Sequence, residues 1–303
     1  MWAHDPEETA IPSSARTGGR ALGLAAMILS AVLFSVMSLG IRLAAADSFL
    51  TSFVRFAVGA AVVGTLALVG KIRLSFVNLP WLLLRGATGS VAVYTSFLAI
   101  EKLGIARGSV LSYTFPLFAA VGGAIFLKER VRPLRWAALT AAVGGMVLMR
   151  WGALAGEGPA AASTALWYGL VLAGSVAAGF AIVCVRRLTA TDSPPSIFMS
   201  QSLLGFWLVF VPAMSRPAAF SLRLALILLA IGLLAAVAQM LMTWAYGRVE
   251  IATGSLLSML TPVINIGVGV LAFQERFGPL EAAGAAVILA ACTAVMVPGR
   301  RGG

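Results

Sequence analysis

The 303-residue chain is 60% hydrophobic and only 11% charged, with a formal net charge of +11. A soluble globular domain carries about 25% charged residues, and a soluble chain this apolar would expose patches that cause aggregation, so the composition excludes that class. The positive charge does not indicate nucleic-acid binding, because the basic residues stand in small groups between apolar blocks instead of forming one basic stripe. We therefore expect an all-α protein embedded in the lipid bilayer.

Ten apolar blocks follow a polar N-terminal segment. A helix needs about 17–25 residues to cross a hydrocarbon layer ~30 Å thick, which is close to the length of these blocks. The first block is too long for the apolar region of a signal peptide, so we expect it to be retained as a helix. The predicted spans, numbered in chain order, are residues 21–45, 50–69, 81–100, 105–127, 134–149, 166–185, 197–211, 222–246, 251–273 and 280–297.

The basic residues predict the orientation, because cytoplasmic loops of membrane proteins are enriched in Lys and Arg. With the N-terminus in the cytoplasm, 14 of the 22 Lys and Arg residues fall on the inner side, Arg85 among them, and seven on the outer side. Arg55 is then the one charge well inside a span. This bias and the even number of spans predict a multi-pass protein of the cell inner membrane with both termini in the cytoplasm.

The second half of the chain repeats the first. Residues 105–116 read IARGSVLSYTFP and residues 251–262 read IATGSLLSMLTP, an offset of 146 that gives 12 identities in 30 positions over residues 105–134. Because five spans is an odd number, the two copies would cross the membrane in opposite directions, as in secondary transporters. The predicted units are an N-terminal tail at 1–20, a first repeat at 21–149, a connecting loop at 150–165, a second repeat at 166–297 and a tail at 298–303.

These motifs resemble those of the drug/metabolite transporter superfamily, EamA type. The resemblance covers about residues 21–297 and rests on a fourth span that ends near Pro116 and leads into LKERVRPLRW (127–136), with its echo FQERFGPLEA (273–282). It implies a ten-helix bundle around a central cavity lined mainly by spans 1, 3, 4, 6, 8 and 9. It also implies a small-molecule substrate of the kinds that relatives move, often outward: amino acids, nucleotide-like metabolites, vitamins or drugs.

Arg55 and its repeat equivalent Gln201 are polar groups inside spans 2 and 7. A charge within the hydrocarbon is costly and needs a reason. Arg55 fits a counter-charge for a carboxylate-bearing substrate, although a structural arginine that snorkels outward or caps carbonyls fits as well.

Spans 4 and 9 carry matching small polar faces, with spacings of three or four that place them on one side of each helix. Such faces either line a wet cavity or pack helices closely. Prolines at matched midplane positions predict kinks there. Aromatic and polar residues of spans 3 and 8 suit either stacking on a substrate or ordinary packing. The candidate substrate-binding residues are Arg55, Tyr94, Phe97, Ser112, Tyr113, Gln201, Gln239, Met240, Trp244, Ser258, Met259 and Asn265, and the candidate hinges are Pro116 and Pro262.

Several chemistries lack the residues that they need. There is no GxxxxGK[ST] phosphate-binding loop, so ATP is not expected as the energy source. The only histidine, His4, lies in the tail, and Cys184 and Cys292 lie in apolar blocks without metal-ligand spacing. We therefore predict no enzyme activity, no cofactor and no metal site.

The eleven acidic residues all fall in tails, loops or span ends. Proton-coupled carriers commonly place an acid or histidine in the membrane interior, so a midplane carboxylate relay is not expected. Transport would be facilitative or exchange-like, unless Glu129 and Glu275 couple it from the span ends. Those two carboxylates equally suit loop ion pairs with neighbouring arginines.

The sequence thus favours a secondary carrier that exports small organic metabolites, such as amino acids, by alternating access, as a monomer or homodimer. An uptake carrier for a nucleotide-like metabolite or a vitamin is the alternative. A channel or a membrane enzyme is the weaker hypothesis, because a channel would more usually need rings from an oligomer and no acid or histidine is present in the span interiors for catalysis.

Overall fold

The computed structural model describes residues 13–129, 133–154, 161–215, 221–274 and 278–296. Every regular element in these ranges is a helix. The helices are α1 (Ser13–Ala44), α2 (Ser48–Leu68), α3 (Leu79–Leu103), α4 (Ile105–Ser112), α5 (Phe115–Phe126), α6 (Pro133–Leu154), α7 (Ala161–Leu188), α8 (Pro194–Met214), α9 (Leu222–Tyr246), α10 (Ile251–Ser258), α11 (Leu260–Phe273) and α12 (Pro279–Met296).

Seven helical stretches among the described residues are long and apolar enough to cross a membrane, and Phe115–Phe126 and Trp136–Gly145 are shorter apolar helices. In chain order the helices follow the ten predicted spans, with α4 and α5 sharing span 4 and α10 and α11 sharing span 9. Helices α1, α6 and α7 extend beyond their apolar blocks, so the tail predicted at 1–20 and the loop predicted at 150–165 are partly helical. A helix continues past the hydrocarbon because backbone hydrogen bonding does not depend on apolar side chains.

The two broken spans share backbone features at equivalent positions. Helices α4 and α10 each have eight residues and begin 146 positions apart. Lys128 and Gln274, also 146 apart, both adopt the left-handed conformation with φ of 53°. Non-glycine residues adopt that conformation uncommonly, so its recurrence is backbone support for the repeat seen in the sequence.

The helix–helix contacts are symmetric between the two repeats: replacing each helix by its equivalent in the other repeat gives the same main contacts. Helix α1 packs on α9, and its counterpart α7 packs on α3, which is the counterpart of α9. The pairs α2 with α8 and α6 with α12 map onto themselves. Contacts between the halves therefore hold the bundle together and surround its centre.

Helices α3 and α8 approach closely at Gly86. A Cβ atom at that position would lie 2.7 Å from the carbonyl oxygen of Ser200, which is closer than side chains tolerate. Small residues allow this kind of approach in membrane bundles, where apolar burial alone does not drive helices together. The approach brings the polar residues of α3 next to Gln201.

Candidate functional site

The breaks in spans 4 and 9 follow from proline. Pro116 and Pro262 have no N–H to bond to the carbonyl four residues earlier, and each ring would clash with that carbonyl. These carbonyls belong to Ser112 and Ser258, the last residues of α4 and α10. The chain therefore breaks within the turn that precedes each of the two prolines predicted as hinges.

A freed carbonyl inside a membrane protein needs a new donor. The Ser175 hydroxyl on α7 donates to the carbonyl oxygens of Ser112 and Leu111, at 3.1 Å each. On the other side, the Ser35 hydroxyl of α1 donates to the Thr261 carbonyl at 3.3 Å, and the Thr261 hydroxyl donates to the Ala31 carbonyl at 3.2 Å. A serine thus satisfies the freed carbonyl of the first break, and hydrogen bonds between α1 and α11 hold the chain beside the second break.

A cavity of about 930 Å³, a figure that includes its space open to solvent, adjoins these breaks. All six spans implied by the family resemblance contribute to its wall, and spans 2 and 7 add one residue each, Arg55 and Gln201. These two residues are repeat equivalents, so each half places one polar side chain from its second span at the cavity.

Arg55 is almost fully buried in this wall, with 4% of its surface exposed. Its guanidinium carbon lies 5.4 Å from the ring centre of Phe97 and 6.0 Å from that of Phe56. Such cation–π contacts contribute about 0.5–2 kcal/mol. Glu101 pairs with Lys102 and Glu129 with Arg186, and no carboxylate of the described residues forms an ion pair with Arg55, which faces the cavity.

Arg85 is a second buried arginine in the same wall, with 2% of its surface exposed. The sequence interpretation counted it with the inner loops and tails and left Arg55 as the one charge well inside a span, whereas the structure places Arg85 within a span as well. Helix α3 begins at Leu79, so Arg85 lies six residues inside it, and its side chain points along the helix toward Gly89. Without Arg85 the inner side keeps 13 basic residues against seven, so the orientation bias remains.

Gln201 holds Arg85 in place. The Nη2 atom of Arg85 donates to Oε1 of Gln201 at 2.8 Å, and Nε2 of Gln201 donates to the Gly89 carbonyl at 2.9 Å. The missing side chain at Gly89 leaves room for the guanidinium, because a Cβ there would collide with Nη1 of Arg85. The Nε and Nη1 atoms of Arg85 have no hydrogen-bond partner among the described residues.

Neutral polar groups complete the polar part of the wall. The Ser112 hydroxyl and Nε2 of Gln239 are buried without a partner in the described structure. The Ser258 hydroxyl donates to the Ser255 carbonyl at 2.6 Å, and Ser109 accepts a hydrogen bond from Nδ2 of Asn265 at 2.7 Å. Unsatisfied groups in a membrane interior are costly, and a polar ligand in the cavity would satisfy them.

Aromatic and methionine side chains form the apolar part of the wall. Phe34, Phe97, Phe115 and Tyr113 line the cavity, and the rings of Tyr113 and Phe115 lie 5.5 Å apart at a tilt of 54°. Methionine adapts its shape to irregular surfaces, and three methionines on α1 and α9 also line the space. The wall can therefore accept an apolar moiety beside an anionic one.

Seven of the twelve predicted site residues line this cavity, and five do not. The seven are Arg55, Phe97, Ser112, Tyr113, Gln201, Gln239 and Ser258. Among the other five, Tyr94 stacks on Phe49 with ring centres 4.4 Å apart, and the Trp244 ring packs under Arg248. Met240 packs with Val63 and Phe198, and Met259 is buried against the core of α6 and α12. Asn265 reaches the cavity wall only through its bond to Ser109.

One ion pair joins the two halves at the end of the bundle where α7 and α9 finish. The Arg186 side chain donates from Nε to Glu129 at 3.0 Å and from Nη1 to the Tyr246 carbonyl at 2.7 Å. The other oxygen of Glu129 accepts from the Ile251 backbone N–H at 3.4 Å. Glu129 therefore pairs with an arginine of the opposite half, and Glu275 lies outside the described residues.

The family and the relatives of the chain agree with this architecture. The EamA-like transporter family matches it twice, at residues 18–151 and 165–297. The pseudopaline exporter of Pseudomonas aeruginosa is 29% identical over 281 residues, which is 90% of this chain and 95% of the exporter. The riboflavin transporter of Rhizobium johnstonii is 29% identical over 235 residues, 72% of this chain and 70% of that transporter.

A protein of known crystal structure shares the fold. It is 22% identical to this chain and superposes with a TM-score of 0.69, covering 92% of this chain and 96% of that one. The two family matches together cover most of the sequence, and each contains one of the proline-broken spans. The chain therefore belongs to the EamA-like transporter family, as its motifs predicted.

Proposed function

We propose that this transporter is an inner-membrane secondary carrier that exports small organic metabolites bearing a carboxylate, such as amino acids. The observation that carries the proposal is a central cavity in which Arg55 is buried without a carboxylate partner from the described chain. A buried charge of this kind is a default functional site, and a substrate carboxylate would compensate it. The similarity to the pseudopaline exporter supports the outward direction.

Two inverted repeats that rock about the cavity would give alternating access. Two observations support this arrangement: the contacts between helices are symmetric between the two halves, and each half has an odd number of spans. The breaks before Pro116 and Pro262 would serve as the flexible points. Breaking the contact between Glu129 and Arg186 would open the end of the bundle predicted to face the cytoplasm.

Within this scheme Arg55 binds the substrate carboxylate, while Phe97 and Tyr113 contact its apolar portion. Ser112, Gln239 and Ser258 supply hydrogen bonds from both halves. The acidic residues fall in tails, loops or span ends of the sequence, which favours facilitative or exchange transport over a proton relay.

Import of a nucleotide-like metabolite or vitamin is the second candidate. It is favoured by the similarity to the riboflavin transporter over 72% of the chain and by the aromatic rings in the wall, on which a flat ring system could stack.

Transport by the purified full chain in proteoliposomes tests the proposal. We expect saturable exchange of a labelled amino acid or organic acid, and we expect Arg55→Gln to raise KM at least tenfold. Arg223→Gln removes an arginine from the exposed first turn of α9 and should leave KM unchanged. Saturable flux of riboflavin alone would favour the second candidate, and no saturable flux of any compound would contradict a carrier.

A further inference from the structure

Arg85 gives the cavity a second positive group that one carboxylate does not explain. Burying a guanidinium without a counter-charge is unfavourable, and the neutral amide of Gln201 satisfies only Nη2. Nε and Nη1 stay without a partner in the described structure while Arg85 lines the cavity. A purely structural arginine would be expected to find acceptors for these groups in the packed bundle.

The two guanidinium groups lie at different depths along α3. The guanidinium of Arg55 lies beside Phe97, and that of Arg85 lies beside Gly89. At a rise of 1.5 Å per residue, the eight residues between Gly89 and Phe97 correspond to about 12 Å. The cavity thus offers two cationic groups at different depths, separated along the helix axis by up to roughly that distance.

This separation selects a ligand with two acidic groups. In a charge-assisted pair with N–O distances of about 2.8 Å, the guanidinium carbon lies ~4 Å from the carboxylate carbon. Subtracting one such contact at each end leaves at most roughly 4 Å between the two carboxylate carbons. That spacing corresponds to a dicarboxylate of four to five carbons in total, counting both carboxylate carbons.

We infer that the substrate is a dicarboxylate, with one acidic group on Arg55 and the other on Arg85, which Gln201 orients. This inference rests on the proposed function and specifies its substrate class. Gln201 keeps the Arg85 guanidinium aimed into the cavity from the opposite half of the protein. The dicarboxylate therefore bridges two helices of the first repeat, and Gln201 of the second repeat senses its second acidic group through Arg85.

Calorimetric titration of the purified full chain with simple acids tests the inference at constant ionic strength. The probes are malonate, succinate, glutarate, adipate and suberate, with pentanoate as the monocarboxylate of glutarate's length. We expect the tightest binding at succinate or glutarate, at least tenfold tighter than pentanoate. Equal binding of glutarate and pentanoate, or affinity that simply rises with chain length, would overturn the inference.

Two variants assign the second site. Arg85→Gln should weaken the binding of glutarate at least tenfold and change the binding of pentanoate less than twofold, because pentanoate uses Arg55 alone. Gln201→Glu places a carboxylate on Arg85 and should produce the same loss without removing the guanidinium. If both variants lost affinity for glutarate and for pentanoate equally, the loss would reflect a general packing defect and would overturn the assignment of Arg85.

Titration of the wild-type protein with the series of acids tests the dicarboxylate inference even if these variants do not fold. Arg55→Gln should weaken the binding of both glutarate and pentanoate, and it thus tests the proposed function separately. Binding of no acid by the wild-type protein would overturn both proposals, whereas equal binding of glutarate and pentanoate would overturn only the dicarboxylate.

Discussion

Arg85 of the first repeat donates a buried hydrogen bond from Nη2 to Oε1 of Gln201 in the second repeat, at 2.8 Å. The bond joins α3 to α8 beside the cavity, where the same amide also donates to the Gly89 carbonyl. A single side chain therefore couples the position of a buried charge to the contact between two helices.

Gln201→Leu removes this coupling. Losing the partners of a buried guanidinium N–H and a backbone carbonyl costs about 1–3 kcal/mol, so we expect a lower midpoint of thermal unfolding in detergent. Ser202→Ala is the matched control, because the Ser202 hydroxyl is buried on the same helix without a partner in the described structure. Its midpoint should stay the same or rise slightly. An unchanged midpoint for Gln201→Leu would contradict the importance of the bond.

Gly89→Ala tests the position of the guanidinium rather than the stability of the fold. The added Cβ would collide with Nη1 of Arg85, and the end of that flexible side chain can move aside. We expect the protein to fold and its preference for glutarate over pentanoate to fall at least fivefold, measured by calorimetry. Gly169→Ala meets nothing within 4 Å on α7 and should keep the preference.

The proline breaks should control the speed of transport more than substrate affinity. Pro116→Ala and Pro262→Ala restore the missing N–H groups, so the half-helices can join and the hinge stiffens. We expect the double variant to lower the exchange rate several-fold in proteoliposomes while KM changes less than twofold. Pro212→Ala alters a proline inside α8 and away from the cavity wall. It should leave the rate unchanged, and an equal loss in this control would argue against the hinge.

The ion pair between Glu129 and Arg186 should keep one end of the cavity closed. A partly exposed pair contributes about 1 kcal/mol or less, so Glu129→Gln should increase opening only a few-fold. The measurement is the rate at which a membrane-impermeant thiol reagent modifies Ser112→Cys from the cytoplasmic side, in a Cys184→Ser, Cys292→Ser background. Arg187→Gln removes the neighbouring arginine, which stacks on Trp81, and should not change the rate. An unchanged rate for Glu129→Gln would contradict this closure.

The sequence predicted the broken spans well because their cause is local. Proline removes a hydrogen bond wherever it stands in the interior of a helix, and the 146-residue offset carries Pro116 onto Pro262 and Arg55 onto Gln201. Arg55 and Gln201 both line the cavity, so a charged or amide side chain within an apolar block was an informative signal.

The facing of the other side chains could not be predicted from the sequence. Lipid and protein interior are both apolar, so a membrane helix has no polar stripe that marks its outer side. Met240 and Trp244 lie on a different face of α9 from Met242, which lines the cavity. Arg85 was missed because a charge four residues after Trp81 resembles one that snorkels to the interface. The signal for it was the GATGS sequence that follows, whose small residues allow α8 to approach.

The space that Gly89 leaves for Arg85 has a consequence for the evolution of the family. A larger residue at position 89 is compatible with this fold only if the guanidinium at position 85 is absent or moved, so the two positions should change together. Homologues that keep Arg85 should keep Gly89. Those with a shorter or apolar residue at position 85 should tolerate alanine or serine at position 89. A paired change at these two sites would then mark lineages that have moved to a different substrate.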